Sequence, residues 1–257
     1  MATRTLVHLS DLHFGRSPRH ELRCAALVRT LVDAEVDHVV VTGDVTERGL
    51  IAEFERFQQV FAPLGDTRRL SVVPGNHDRL GDDAAELAMG GRRVMVARPP
   101  GVHLVLVDST RVENGRFAFF AHGELGDHDL DGIDAAIDEA PAGDLVAVLL
   151  HHHVLPMPHE SRLEALAGAI GLPFGDALAR GPELLARVAG RCDLVLHGHR
   201  HVPYETVQHR HSPRPLWVGN AGCTPALGRA RLFTHAHGRV LAPPRWLTID
   251  ERLRSAA

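Results

Sequence analysis

Five fragments of the 257-residue sequence carry side chains suited to binding cations. They are Asp11-Leu12-His13, Gly43-Asp44, Gly75-Asn76-His77-Asp78, His151-His152-His153 and Gly198-His199-Arg200-His201. The chain has 19 histidines, an excess that fold stability does not explain and that points to a metal site. Each fragment alone recurs by chance, whereas five in order, each following a short apolar run, carry an argument. In Asp11-x-His13 and His199-x-His201 the paired side chains lie two residues apart, so extended backbone would point each pair to one side. Gly43, Gly75 and Gly198 stand just before the polar residues, where they permit tight turns and close backbone approach.

The elements that must present these groups are legible as well. Apolar runs at Leu6 to Leu9, Val39 to Val41, Leu70 to Val73, Leu104 to Val107, Leu145 to Leu150 and Leu194 to Leu196 read as buried strands. Between them, Leu50, Phe54, Phe57 and Phe61 form one apolar stripe at helical spacing. Further helical patterns run from about His20 to Ala34, Gly126 to Glu139 and Pro182 to Ala189. Strands alternating with helices predict an α/β protein with covered sheets, in which ligands collect at the carboxyl ends of the strands. With no repeat or low-complexity linker, residues 1–257 read as one domain. The segment 154–181, with Pro156, Pro158 and Pro173 around a short helical stretch near Ser161 to Ile170, reads as a lid or specificity insertion.

The ordered motifs from Asp11 to His201 resemble those of the calcineurin-like metallophosphoesterase superfamily. His122-Gly123-Glu124-Leu125, and His151-His152-His153 followed by Leu155-Pro156, bring the chain closer to the bacterial branch of class III cyclic-nucleotide phosphodiesterases. The resemblance implies a four-layer αββα sandwich, two mixed sheets flanked by helices, around two divalent metal ions. Carried over by motif, Asp11, His13 and His201 would hold one metal, Asn76, His151 and His199 the other, and Asp44 would bridge both. Mixed nitrogen and oxygen donors favour Mn, Fe, Zn or Co over Mg or Ca. Asp11 and Asp44 alone bring charge to that set, so two divalent cations and a bridging hydroxide would leave a positive site that attracts a phosphoester anion. That hydroxide would attack phosphorus in line, while His77 stabilises developing charge or protonates the leaving alkoxide and Asp78 orients the imidazole.

On this basis the chain is expected to hydrolyse a small phosphodiester, a 3',5'-cyclic nucleotide being the leading class. A UDP-linked lipid-A precursor hydrolase, with apolar residues between Leu163 and Phe174, and a DNA nuclease are the alternatives within the superfamily. A non-catalytic scaffold of the same fold is the alternative outside enzymology. His152 and Asn220 are expected to contact substrate or support the ligands, and His153 and His197 lie beside motif positions. Arg200 should point away from the metals. His8, His20, His38, His103, His128, His159, His209, His211, His235 and His237 are assigned surface or local structural roles.

Other chemistries lack their motifs. Asp108-Ser109-Thr110 has no G-x-S-x-G elbow to make a serine hydrolase. No P-loop or G-x-G-x-x-G occurs, and neither His20-Glu21 nor His159-Glu160 has the second histidine of a zinc protease. The formal charge of −4 and 5% aromatic content make nucleic acid an unlikely partner. Cys24, Cys192 and Cys223 are odd in number and scattered, which suits a reducing cytoplasm, and no apolar run is long enough to span a membrane.

Overall fold

A computed structural model describes residues 2–65, 68–111, 122–158, 160 and 177–249. The strands are β1 (Arg4–Leu9), β2 (His38–Thr42), β3 (Leu70–Val73), β4 (Val94–Ala97), β5 (Val102–Val107) and β6 (Leu145–Leu149), then β7 (Leu194–His197), β8 (Tyr204–Gln208), β9 (Leu216–Asn220), β10 (Arg229–Ala236), β11 (Arg239–Val240) and β12 (Arg245–Thr248). They build two mixed sheets. One has the order β11-β10-β1-β2-β3 with β12 against β10, and the other the order β4-β5-β6-β7-β9-β8. Strands β1, β2 and β3 run parallel, as do β5, β6, β7 and β9.

Strand sequence explains why the layers number four. Along β5 and β6 nearly every residue is apolar, and successive side chains face opposite ways, so both faces must be covered. Val105, Val107, Val146 and Val148 pack with Leu130 and Ile133 of α4 (Asp127–Asp138) and Leu184 of the helix Gly181–Val188. Their alternates Leu104, Leu106, Ala147 and Leu149 meet Leu6, Val40, Val73 and Phe233 of the other sheet. On that sheet's far face, Val7, Leu9, Val39 and Val41 pack against α1 (Pro18–Asp33) and α2 (Ile51–Gly65), including the stripe Phe54, Phe57 and Phe61. The result is an αββα sandwich, as the motifs imply. Truncating one of the inter-sheet side chains to Ala costs about 2–5 kcal/mol in a core of this kind.

Helix α1 begins where the sequence chemistry permits. Ser17 caps it by accepting from His20 N at 3.3 Å, and Pro18 supplies a first-turn position that needs no N–H. The proposed helical stretch near Ser161 to Ile170, and most of the segment 154–181, lie outside the described residues.

Strands β4, β8 and the C-terminal group β10 to β12 are additions to the sequence-based expectation. They are edge or polar-faced strands, such as Arg229-Ala230-Arg231-Leu232, where arginine alternates with apolar residues and no continuous run appears. Strand β10 closes the first sheet by pairing with β1 across nearly the whole chain, Arg4 opposite His235 and His8 opposite Arg231.

Candidate metal centre

All five motif fragments leave the carboxyl ends of β1, β2, β3, β6 and β7, at the seam between the sheets. The first sheet delivers Asp11, His13, Asp44 and Asn76, and the second delivers His151, His199 and His201. Two donor groups result. In one, single atoms of Asp11, His13 and His201 all lie within 4.8 Å of one another. Here His13 Nε2 stands 3.3 Å from His201 Nε2, and His201 Nε2 stands 3.6 Å from Asp11 Oδ1. In the other, Asn76 Oδ1 lies 3.0 Å from both His151 Nε2 and His199 Nδ1. Asp44 faces both groups, with Oδ1 3.4 Å from His151 Nε2 and Oδ2 3.9 Å from His13 Nε2.

The backbone reaches this arrangement by a route that alternation along a strand does not describe. Asp11, His13, Asp44 and His199 all have positive φ, at 56°, 47°, 50° and 70°. Asp11, His13 and His199 are therefore in left-handed turns and not on extended backbone, which corrects the extended-backbone expectation. Each such residue costs roughly 1–2 kcal/mol, so surrounding bonds must hold it. Those bonds are present: Asp11 N donates to Gly43 O at 3.1 Å, His13 N to Asp44 O at 2.9 Å and Phe14 N to Val45 O at 2.8 Å. Gly75 is required for a different reason. A Cβ there would overlap the Asp44 amide nitrogen and Oδ1 and lie 2.9 Å from Asp44 Cγ.

The donor chemistry fits a cation. Both carboxylate oxygens of Asp11 are buried and accept no hydrogen bond from the described residues. An ionised carboxylate in that position is costly unless a positive charge meets it. Three histidines also have an oxygen behind them. His13 Nδ1 is 3.0 Å from Glu47 Oε2, His151 Nδ1 donates to Thr42 O at 2.8 Å, and His201 Nδ1 is 3.7 Å from Glu160 Oε2. The Thr42 bond leaves His151 Nε2 as the bare nitrogen a metal takes, and the two carboxylates favour the same tautomer of His13 and His201 through their charge. In the metal-free chain, burial opposes the charging of His151. The nearby Asp44 carboxylate overcomes it and pushes the pKa up to about 9, while Asp44 is held well below its usual range. Burial, together with His152 and His151, pushes His199 well down, so its imidazole is neutral and ready to donate a lone pair.

His77 stands beside this set, its ring 4.8 Å from that of His13, and one of its nitrogens groups with donors of His13 and Asp44. Its Nδ1 donates to Glu47 O at 2.7 Å, which leaves Nε2 as the working nitrogen. Asp78 does not orient it, contrary to the expectation. The Asp78 carboxylate turns into the fold and accepts from Val45 N, Thr46 N, Thr46 Oγ1 and Gly75 N at 2.7 to 3.2 Å. It braces the loops that carry Asp44 and Asn76. Glu47, which sequence reasoning passed over, serves both His13 through its side chain and His77 through its carbonyl. Its only signal was adjacency to Gly43-Asp44.

The flanking residues sort by contact. Ser109 Oγ lies 2.9 Å from His152 Nδ1 and accepts from His151 N and His152 N, so the serine after β5 braces the histidine run. The His152 ring lies 4.9 Å from that of His199. Asn220 donates to Arg200 O at 2.7 Å and Val202 O at 2.9 Å, fastening the turn that carries His199 and His201. Arg200 is buried and donates to Pro158 O, away from the donor cluster. Among the histidines assigned surface or local roles, His8, His38, His103 and His235 are in fact buried. His38 pairs with Ser71 Oγ and His103 donates to Ala136 O, so polar partners make their burial tolerable.

The family description "Calcineurin-like phosphoesterase" matches residues 4–203. The chain belongs to that family. It is accordingly a metal-dependent hydrolase acting on phosphoric esters. A 3',5'-cyclic adenosine monophosphate phosphodiesterase from Pseudomonas aeruginosa is 27% identical over 266 residues, covering 97% of this chain and 87% of that one. A probable cyclic nucleotide phosphodiesterase from Vesicomyosocius okutanii is 25% identical over 71 residues, and the chain spans 30% of that relative's length. Among solved structures, a dimetal phosphatase from Danio rerio superposes with a TM-score of 0.62 at 12% identity, over 96% of this chain and 99% of that one, a likeness of fold. Among the described residues no helix is long and apolar enough to cross a membrane.

Proposed function

We propose that this phosphoesterase hydrolyses a small phosphodiester of the 3',5'-cyclic nucleotide class at a centre of two divalent transition-metal ions, Mn, Fe, Zn or Co. Asp11, His13 and His201 would hold one ion, Asn76, His151 and His199 the other, and Asp44 would contact both. The observation that carries this reading is Asp44, one carboxylate with an oxygen turned toward a histidine of each donor group, His151 and His13. The near full-length likeness to a cyclic-nucleotide phosphodiesterase supports the substrate class. Free, buried cysteines at positions 24, 192 and 223 support a reducing, cytoplasmic setting.

Divalent ions in such a site supply Lewis acidity at the phosphoryl oxygens and ready hydroxide near neutral pH. The chain's own residues do the remainder. The neutral imidazoles and the Asn76 carboxamide add no negative charge, so a phosphodiester anion is not repelled. With its Nδ1 proton committed to Glu47 O, His77 acts as the imidazolium: its Nε2 proton passes to the departing alkoxide and the ring is left neutral. Asp78 holds the Gly75 to Arg79 turn so that this ring stays beside the donors.

Turnover of bis(p-nitrophenyl) phosphate and of cyclic AMP with added Mn2+ is the direct assay. Activity on both is expected. Failure with every one of Mn, Fe, Co, Zn and Ni would refute the reading, and activity on the nitrophenyl ester with none on a panel of cyclic nucleotides would overturn the substrate class alone.

A further inference from the structure

The oxygens behind the three Nε2-facing histidines do not share one origin. Glu47 and Thr42 belong to the same strand and loop that deliver Asp44. Glu160 belongs to the segment 154–181, outside all five motifs. It meets the ligand loop at three points. Its Oε1 accepts from His201 N at 2.9 Å and lies 3.2 Å from Arg200 Nε, while its Oε2 lies 3.7 Å from His201 Nδ1. Arg200 Nη2 adds a bond to Pro158 O at 3.2 Å, and since the Arg200 side chain is buried this is a docked contact rather than a solvated surface pair.

Packing shows why this contact matters for His201 in particular. The His13 and His151 side chains are 1% and 0% exposed and are fixed by their surroundings, whereas that of His201 is 38% exposed. That ring meets His13 and Asp11 on its Nε2 side, and Glu160 is the carboxylate on its Nδ1 side. We infer that Glu160 is the positioning residue of His201: its carboxylate favours the proton on Nδ1, leaves Nε2 bare, and anchors the ligand's backbone through His201 N. The affinity of the Asp11, His13 and His201 group for metal is thus set in part by a residue of the inserted segment. This inference rests on the metal-centre reading above and is independent of the substrate class.

The test is titration of the full-length, metal-free chain with Co2+, followed by its visible absorption. Glu160→Gln keeps an acceptor for His201 N and loses the charge, and Glu160→Ala loses both. Outer-partner losses of this type weaken metal binding about 10- to 100-fold, so a fall of roughly tenfold is expected for Gln and a larger one for Ala, confined to one of two binding phases. The thermal midpoint of the metal-free chain should stay at the wild-type value. Glu183→Gln removes a carboxylate paired with Arg180 and Arg187 on the helix Gly181–Val188, and should bind Co2+ as the wild type does. Wild-type Co2+ affinity in both Glu160 variants overturns the inference while leaving the metal centre standing. So does a loss matched by a fall in the midpoint of the metal-free chain, which marks a structural role. A wild-type chain that binds no Co2+ overturns the metal-centre reading and this inference together.

Discussion

Gly75→Ala is the most economical perturbation of the centre, because it adds one methyl group and removes no donor. That methyl would overlap the Asp44 amide nitrogen and Oδ1. A backbone atom cannot rotate away as a side-chain tip can, so the Asp44 turn must retreat by about 1 Å to restore contact distance in a closely packed interior. The retreat breaks the bond from His77 N to Asp44 Oδ1, now 2.9 Å, and lengthens the 3.4 Å and 3.9 Å approaches of Asp44 to His151 and His13. Overpacking of this kind costs about 1–3 kcal/mol, which in a domain of this size lowers the thermal midpoint by roughly 2–12 °C. A misplacement near 1 Å at a catalytic centre costs about 100-fold in rate, so turnover should fall by that order even in saturating Mn2+. Calorimetry, metal content after dialysis and turnover of bis(p-nitrophenyl) phosphate give the three readings. Gly65→Ala serves as the control, since a Cβ there meets no atom of the described residues within 4 Å. Wild-type metal content and turnover in Gly75→Ala would refute the claim that Asp44 is held in register by the absence of a side chain at position 75.

His77→Gln should lower turnover by about 100- to 10,000-fold with metal content unchanged; loss of metal instead would make His77 a ligand rather than a proton donor. Asp78→Ala should destabilise the fold more than it affects any proton transfer, because Val45 N, Thr46 N and Gly75 N lose their buried acceptor at about 1–3 kcal/mol each, and an unchanged thermal midpoint would contradict that role. His151 in the metal-free chain has a pKa raised from 6.5 to about 9, so its pairing with Asp44 contributes stability fully below pH 6.5 and loses it as pH rises through about 9. Thermal melts of the metal-free chain should decline across that window, and metal binding at pH 7 should release a proton, measured as a buffer-dependent binding enthalpy; buffer-independent enthalpies would disprove it.

How far the sequence determined this picture depends on the type of signal. The positions of the candidate ligands were legible because each follows an apolar run, and Leu70 to Val73 coincides with β3 residue for residue. Strands whose inward face alternates with arginine, as in β10, have no such run and were missed. The Asp78 expectation failed because adjacency to His77 says nothing about direction: a 3₁₀ turn over His77–Arg79 sets successive side chains about 120° apart. The left-handed turns at Asp11, His13, Asp44 and His199 were illegible, since Asp and His are enriched at positive φ but adopt it in too few cases to mark a given position. Glu47 and Glu160 meet their histidines through tertiary contact, and only the adjacency of Glu47 to Gly43-Asp44 gave a local sign.

The pairing of β1 with β10 sets a schedule for synthesis. The turn that carries Asp11 is fastened from the far end of the chain: Ser10 N donates to Thr224 Oγ1, Thr224 N donates to Ser10 O, and Cys223 Sγ donates to Asp11 O. A ribosome that has released every ligand as far as His201 has still not released the residues that lock the first of them in place. Nascent chains therefore carry every proposed donor before the contacts that fasten Asp11 can form.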